Sequence, residues 1–228
     1  MLPRDVRARL RGLTKENAQY VGEHLVMAGQ LLDLDPERAY QHTQAALQRA
    51  GRIDIAREAA GIAAYVTGRY AEALRELRTV RRLNGSSEHL PIMADAERGL
   101  GRPERAIALA QSPEADDLPS AIKVELAIVV SGARSDLGEH DAALAVLDRI
   151  PPQTGDRAVR ILAARATALE AAGRNAEAVK LLAGIDAETL ERVTGNLIPD
   201  EDIVVFDTFD EEADIEQTAI EAADGEAE

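Results

Sequence analysis

The sequence has no cysteine and no tryptophan, and it carries only two phenylalanines and four tyrosines. Without cysteine there is no disulfide, no thiolate metal ligand and no cysteine nucleophile. With so few aromatics the core must come from alanine, leucine, valine and isoleucine, and an alanine-rich core suits closely approaching helices better than a β-sandwich. Long apolar runs are missing too. No stretch approaches the roughly 18 apolar residues of a membrane span, and the opening MLPRDVRARLRGL lacks the apolar region of a signal peptide. The expectation is a soluble, cytoplasmic, all-α protein that spans no membrane.

Apolar residues make up 46% of the 228-residue chain, enough for a packed core. The net charge of −15 is unevenly spread, because the chain from Val193 onward holds thirteen Asp or Glu and no Lys or Arg. The body is therefore nearly neutral. That balance argues against a general nucleic-acid binder, whose affinity rests on Lys and Arg neutralising phosphates. Nearly all the bases are arginine, the side chain best suited to planar pairing with carboxylates.

The body repeats itself. TGRYAEALRELRTV (67–80), LGRPERAIALA (100–110), LGEHDAALAVLDRI (137–150) and AGRNAEAVKLLAGI (172–185) each place a Gly, a turn residue or two, then an Ala followed by an aliphatic residue. Ala73, Ala106, Ala143 and Ala178 recur at intervals of 33 to 37 residues, and LDPERAYQHTQAAL places Ala39 in a degenerate earlier copy. Gly68, Gly101, Gly138 and Gly173 fall where a first helix must end and a positive φ is useful. Upstream lie helical apolar stripes such as Val159, Leu162, Ala163, Ala166 and Leu169. About seven residues before each glycine comes a small residue: Gly61, Ala94, Ser131 or Ala166. The spacing predicts antiparallel helix pairs, with SPEADDLPS as an extended loop between two of them. A capping helix around Leu2 to Leu13 and a last patch near Ala187 to Val193 would close the ends.

These features resemble tetratricopeptide repeats (TPR): a small residue in the first helix, Gly at the turn, an aromatic after it (Tyr70) and Ala in the second helix. Pro103, His140 and Asn175 depart from the aromatic position. A narrower resemblance, to actinobacterial tetratricopeptide proteins of unknown function, is carried by GEHLVMAGQLLDLDPERA, REAAGIAAY and ADAERGLGRPERAIALAQSPE. It implies no reaction. The family resemblance implies a right-handed superhelical solenoid whose first helices line a groove. The expected organisation is a cap at 1–19, an array over 20–192 (20–53, 54–86, 87–123, 124–158, 159–192) and, from its excess of acid, a mostly disordered tail at 193–228.

No catalytic constellation stands out, and no cofactor or metal is expected. His24, His42, His89 and His140 lie far apart in sequence without ligand spacing. GLGR (99–102) lacks the third glycine and the strand of a dinucleotide loop. Ser120 to Lys123 has SxxK spacing, but Ser120 after Pro119 is explained as a helix N-cap. The expected activity is non-catalytic: an adaptor or assembly scaffold binding a protein or peptide through the groove.

The register implied by the family turns Glu58, Ile62, Tyr65, Asp95, Arg98, Ser135, Arg160, Thr167 and Glu170 toward that groove. Tyr65 and Arg98 are the leading contacts, because Tyr and Arg are enriched at binding hot spots. There is no Lys/Asn set like the carboxylate clamp of chaperone-tail binders. Arg75, Arg78 and Arg82 share a helical face, either as a solvated surface pairing with Glu72 and Glu76 or as a dock for an anion or acidic peptide. With the basic run Arg4 to Arg11, they also support an alternative: a regulator or assembly factor of RNA- or nucleotide-linked machinery.

Both phenylalanines sit in the acidic tail, where Ile203, Val204, Val205, Phe206 and Phe209 form a short apolar segment, 203–209. Burying five such side chains yields ~1.5–3 kcal/mol each, and ordering the segment costs ~1–2 kcal/mol per residue. The sums nearly cancel, so the tail is expected to order only on docking. Three roles stay open: a solubilising tail, a strap docking in cis on the arginine surface or groove, and a linear motif offered to another protein.

Overall fold

The computed structural model describes residues 4–195, with side chains from Val6 onward. The tail and its apolar segment lie outside the described residues. All regular structure among the described residues is helical. A short α1 (Arg4–Arg9) precedes five helix pairs: α2 (Lys15–Leu31) with α3 (Pro36–Ala50), α4 (Asp54–Val66) with α5 (Tyr70–Asn84), α6 (Leu90–Gly99) with α7 (Pro103–Ala110), α9 (Ser120–Asp136) with α10 (His140–Asp148), and α11 (Gly155–Ala171) with α12 (Asn175–Leu182). The single turn α8 (Pro113–Asp116) lies between the third and fourth pairs, and α13 (Ala187–Thr194) follows the fifth.

Four of the five pairs turn by the same device. Gly68, Gly101, Gly138 and Gly173 have φ of +73°, +71°, +76° and +72°. The residue after each donates its N–H to a carbonyl five residues back: Arg69 to Ala64, Arg102 to Glu97, Glu139 to Arg134 and Arg174 to Leu169, at 2.7–2.9 Å. This closes the first helix and reverses the chain within three residues. The α2–α3 turn has no such glycine. Asp35 instead accepts from the Arg38 amide at 3.1 Å and starts α3 with Pro36 in its first turn.

The small residues are where helices touch. Ala39, Ala73, Ala106, Ala143 and Ala178 have no exposed surface, and Gly61, Ala94, Ser131 and Ala166 are buried as well. A Cβ on Gly61 would stand 2.7 Å from Leu77 Cδ2. Each second helix packs on its own first helix and on the first helix of the next pair. The first helices also touch in series, α2 on α4, α4 on α6, α6 on α9, α9 on α11, and finally α13 on α11. Two rows result, with the first helices contiguous.

The ends are closed by local helices. Val6 and Leu10 of the N-terminal segment are buried with Val21, Leu25, Ala46, Ala50 and Ala56, and Val193 of α13 is buried at the other end. Two expectations change. SPEADDLPS is no extended loop: α8 forms within it, and Ala115 and Leu118 enter the largest core cluster, with Leu77, Leu90, Met93 and Val129. Ser120 is the first residue of α9 and makes no capping hydrogen bond, since the chain enters the helix at Pro119.

Candidate functional site

Tyr65, Asp95 and Arg98 are brought together by the contacts between successive first helices. The Tyr65 hydroxyl on α4 donates to Asp95 Oδ2 on α6 at 2.7 Å. One turn on, Arg98 donates to Asp95 Oδ1 at 2.7 Å and reaches Asp136 on α9 at 2.8 Å and 3.3 Å. The result is a polar ladder over three helix pairs, Tyr65–Asp95–Arg98–Asp136, with its ends 71 positions apart in the sequence.

Two glycines make room for it. Gly132 faces the Arg98 guanidinium, and a Cβ there would stand 2.6 Å from Cζ. Gly99 faces the Tyr70 ring at 2.4 Å from a built Cβ, and Tyr70 lies against Tyr65 with ring centroids 6.0 Å apart. Burial and then Asp95 push the Tyr65 phenol far above its ordinary pKa, so its hydroxyl remains a donor. Burial works against the Arg98 charge, but the bonds to Asp136 and the field of Asp95 outweigh it and raise its pKa. Arg98 is held between two carboxylates on neighbouring helices, in the paired geometry arginine favours.

The other candidate groove positions lie outside this ladder. Ile62 is half-buried and packs into the core beside Tyr65. Glu58 faces α1 and the start of α6, 3.1 Å from Arg9 and 3.4 Å from His89. Burial raises its pKa, but His89 and Arg9 overcome that and hold it below the usual carboxylate value. Arg160 of α11 donates to buried Glu125 of α9 at 2.7 Å. Burial pushes the Glu125 pKa up against the opposing pull of Arg160 and Arg157. Ser135 is half-buried, and Thr167 and Glu170 are exposed.

Of the α5 arginines, Arg75, Arg78 and Arg81 are anchored and Arg82 is loose. Arg75 reaches Glu76 at 3.0 Å and Glu72 at 3.4 Å, and Arg57 of α4 also grips Glu76. Arg78 reaches across to Glu97 of α6 at 2.7 Å, and Arg102 approaches the same carboxylate at 3.5 Å. Arg82 is exposed, and its side chain makes no hydrogen bond or ion pair among the described residues.

The sequence gives no sign that His24 and His42 meet. Their Nδ1 atoms lie 2.9 Å apart across α2 and α3, and Tyr20 stacks on His24 with centroids 4.4 Å apart. In the neutral pair one Nδ1–H donates to the other ring's lone pair. Burial, then His24 and Arg38, lower the His42 pKa. His89 with Glu58 is a second contact that spacing did not reveal. Among the described residues no cluster of three His, Asp or Glu side chains is placed to hold a metal ion, and no helix is long and apolar enough to cross a membrane.

No family model matches this chain, and no curated protein matches it.

Proposed function

We propose that this chain is a non-catalytic protein–protein interaction adaptor, built as a tetratricopeptide-like solenoid and binding a protein or peptide along its row of first helices. The observation that carries the proposal is the Tyr65–Asp95–Arg98–Asp136 ladder. It sets a tyrosine and an arginine, residue types enriched at hot spots, on two successive first helices and fixes both by hydrogen bonds, with Asp136 of the third. Side chains already fixed in place lose less entropy when a partner binds. The tilted Tyr65 and Tyr70 rings beside them supply apolar area.

Gly132→Ala tests the proposal without removing any charged group. The new methyl displaces the Arg98 guanidinium, the far end of a flexible side chain, while alanine within α9 favours the helix. Proteins captured from the source cells on the full chain are identified, and the affinity of the captured partner is then measured for wild type, Gly132→Ala and Arg98→Ala. Both variants should bind about tenfold more weakly or worse, a loss of about 1.4 kcal/mol, with the Gly132→Ala unfolding midpoint preserved. Equal affinity in all three would remove the ladder from the binding surface.

A further inference from the structure

The arginine face of α5 is unbalanced in a specific way. Arg57, Arg75, Arg78 and Arg102 converge in pairs on Glu76 and Glu97, carboxylates whose side chains are each only 2% exposed. The guanidinium-bearing side chains remain far more open, 65% for Arg75, 56% for Arg78 and 48% for Arg102. Glu72 is mostly covered, because Tyr40 and Gln44 also donate to it. With Arg82, unpaired among the described residues, five guanidiniums meet three carboxylates, while Arg81 of the same helix is matched by partly exposed Glu114. The three carboxylates lie underneath and Arg75, Arg78, Arg82 and Arg102 outside, so solvent sees a fixed cationic surface. Glu104 and Arg105, next along α7, are both exposed and cancel each other. Leu83, 45% exposed beside Arg82, adds an apolar spot.

We infer that this face binds the acidic segment of the same chain, Asp200 to Glu212, in cis. The segment's charge is complementary, with seven Asp or Glu, no Lys or Arg, and the chain's only phenylalanines, Phe206 and Phe209. Its carboxylates meet the outward guanidiniums, and its phenylalanines cover Leu83 and the arginine stems. Reach is sufficient. From α13, after which the segment leaves, to α5 is four helix contacts, α13 to α11, α11 to α9, α9 to α6 and α6 to α5, about 32–40 Å at 8–10 Å each. Residues 196–209 span about 46 Å when extended. This inference does not rest on the ladder of the first-helix row, and its test needs no partner.

Because the chain has no cysteine, two thiols introduced into the full chain are its only labelling sites. Ala71→Cys is exposed on α5 one turn before Arg75, and Thr208→Cys lies between the phenylalanines. With spin labels on both, pulsed distance measurements should show a narrow short-distance population at low salt. It should vanish in about 1 M salt, where the screening length falls to about 3 Å, and in Arg75→Gln/Arg78→Gln/Arg82→Gln. If the triple variant misfolds by circular dichroism, Arg82→Gln alone and Phe206→Ala/Phe209→Ala serve, each expected to deplete the same population. A broad distribution indifferent to all these substitutions would overturn the inference. So would a short distance that appears only between singly labelled chains mixed together, which assigns the face to a second copy. A missing short distance with single-stranded RNA retained by the full chain, and lost with the three arginines, would assign it to a polynucleotide instead.

Discussion

Glu97 gives the most quantitative test of how this fold tolerates buried charge. Its side chain is 2% exposed, between Arg78 at 2.7 Å and Arg102 at 3.5 Å, yet both arginines are about half exposed. The two sides of the cluster should therefore respond unequally. Glu97→Gln leaves two guanidiniums that water can reclaim and removes a buried anion, so the lost charge-assisted bond is largely offset and the cost should be about 1 kcal/mol. Arg78→Met/Arg102→Met keeps the stems but strands the buried carboxylate, and should cost about 3–5 kcal/mol. Adding Glu97→Gln to it should restore stability, a coupling of opposite sign to simple loss of contacts. Urea denaturation followed by circular dichroism, with an unchanged slope, measures each step. If Glu97→Gln proves as damaging as the arginine pair, or deepens its loss, the charge is not stabilised as argued.

Two further outcomes follow from pH and packing. The folded pKa of His42 is lowered, so its contribution is present above the ordinary value of 6.5 and is lost as pH falls below it. Glu58 and Asp54 are also lowered, so theirs is lost only below about 4. His42→Gln should flatten the stability profile between pH 7 and 5, and Glu58→Gln only its acid limb; the reverse assignment would refute both. Gly61→Ala drives a methyl against Leu77, which is 1% exposed and cannot yield. Overpacking of about 1–3 kcal/mol should exceed the ~1 kcal/mol helix gain and lower the thermal midpoint. Gly132→Ala, facing a movable guanidinium, should hold or raise it; a larger loss there than at Gly61 would contradict the packing seen.

The repeat was legible because its signals are local. A glycine with positive φ at positions 68, 101, 138 and 173, and an alanine five residues later, are fixed by helix termination and close helix approach within one pair. The N-terminal cap, whose Val6 and Leu10 are buried, was readable for the same reason. Side-chain partners between pairs were not. Arg98 with Asp136, Arg78 with Glu97 and His24 with His42 depend on how one pair is laid on the next, and periodicity within a helix carries no record of that offset. The insertion shows the same limit: its prolines marked a break, but only packing revealed that Ala115 and Leu118 complete a core. By itself the sequence determined helices, turns, buried alanines and the concentration of acid toward the C-terminus. Tertiary structure alone decided that Tyr65, Asp95 and Arg98 bond one another across successive helices. It also decided that Arg75 and Arg78 stand over hidden carboxylates, because both arrangements exist only once the pairs are stacked.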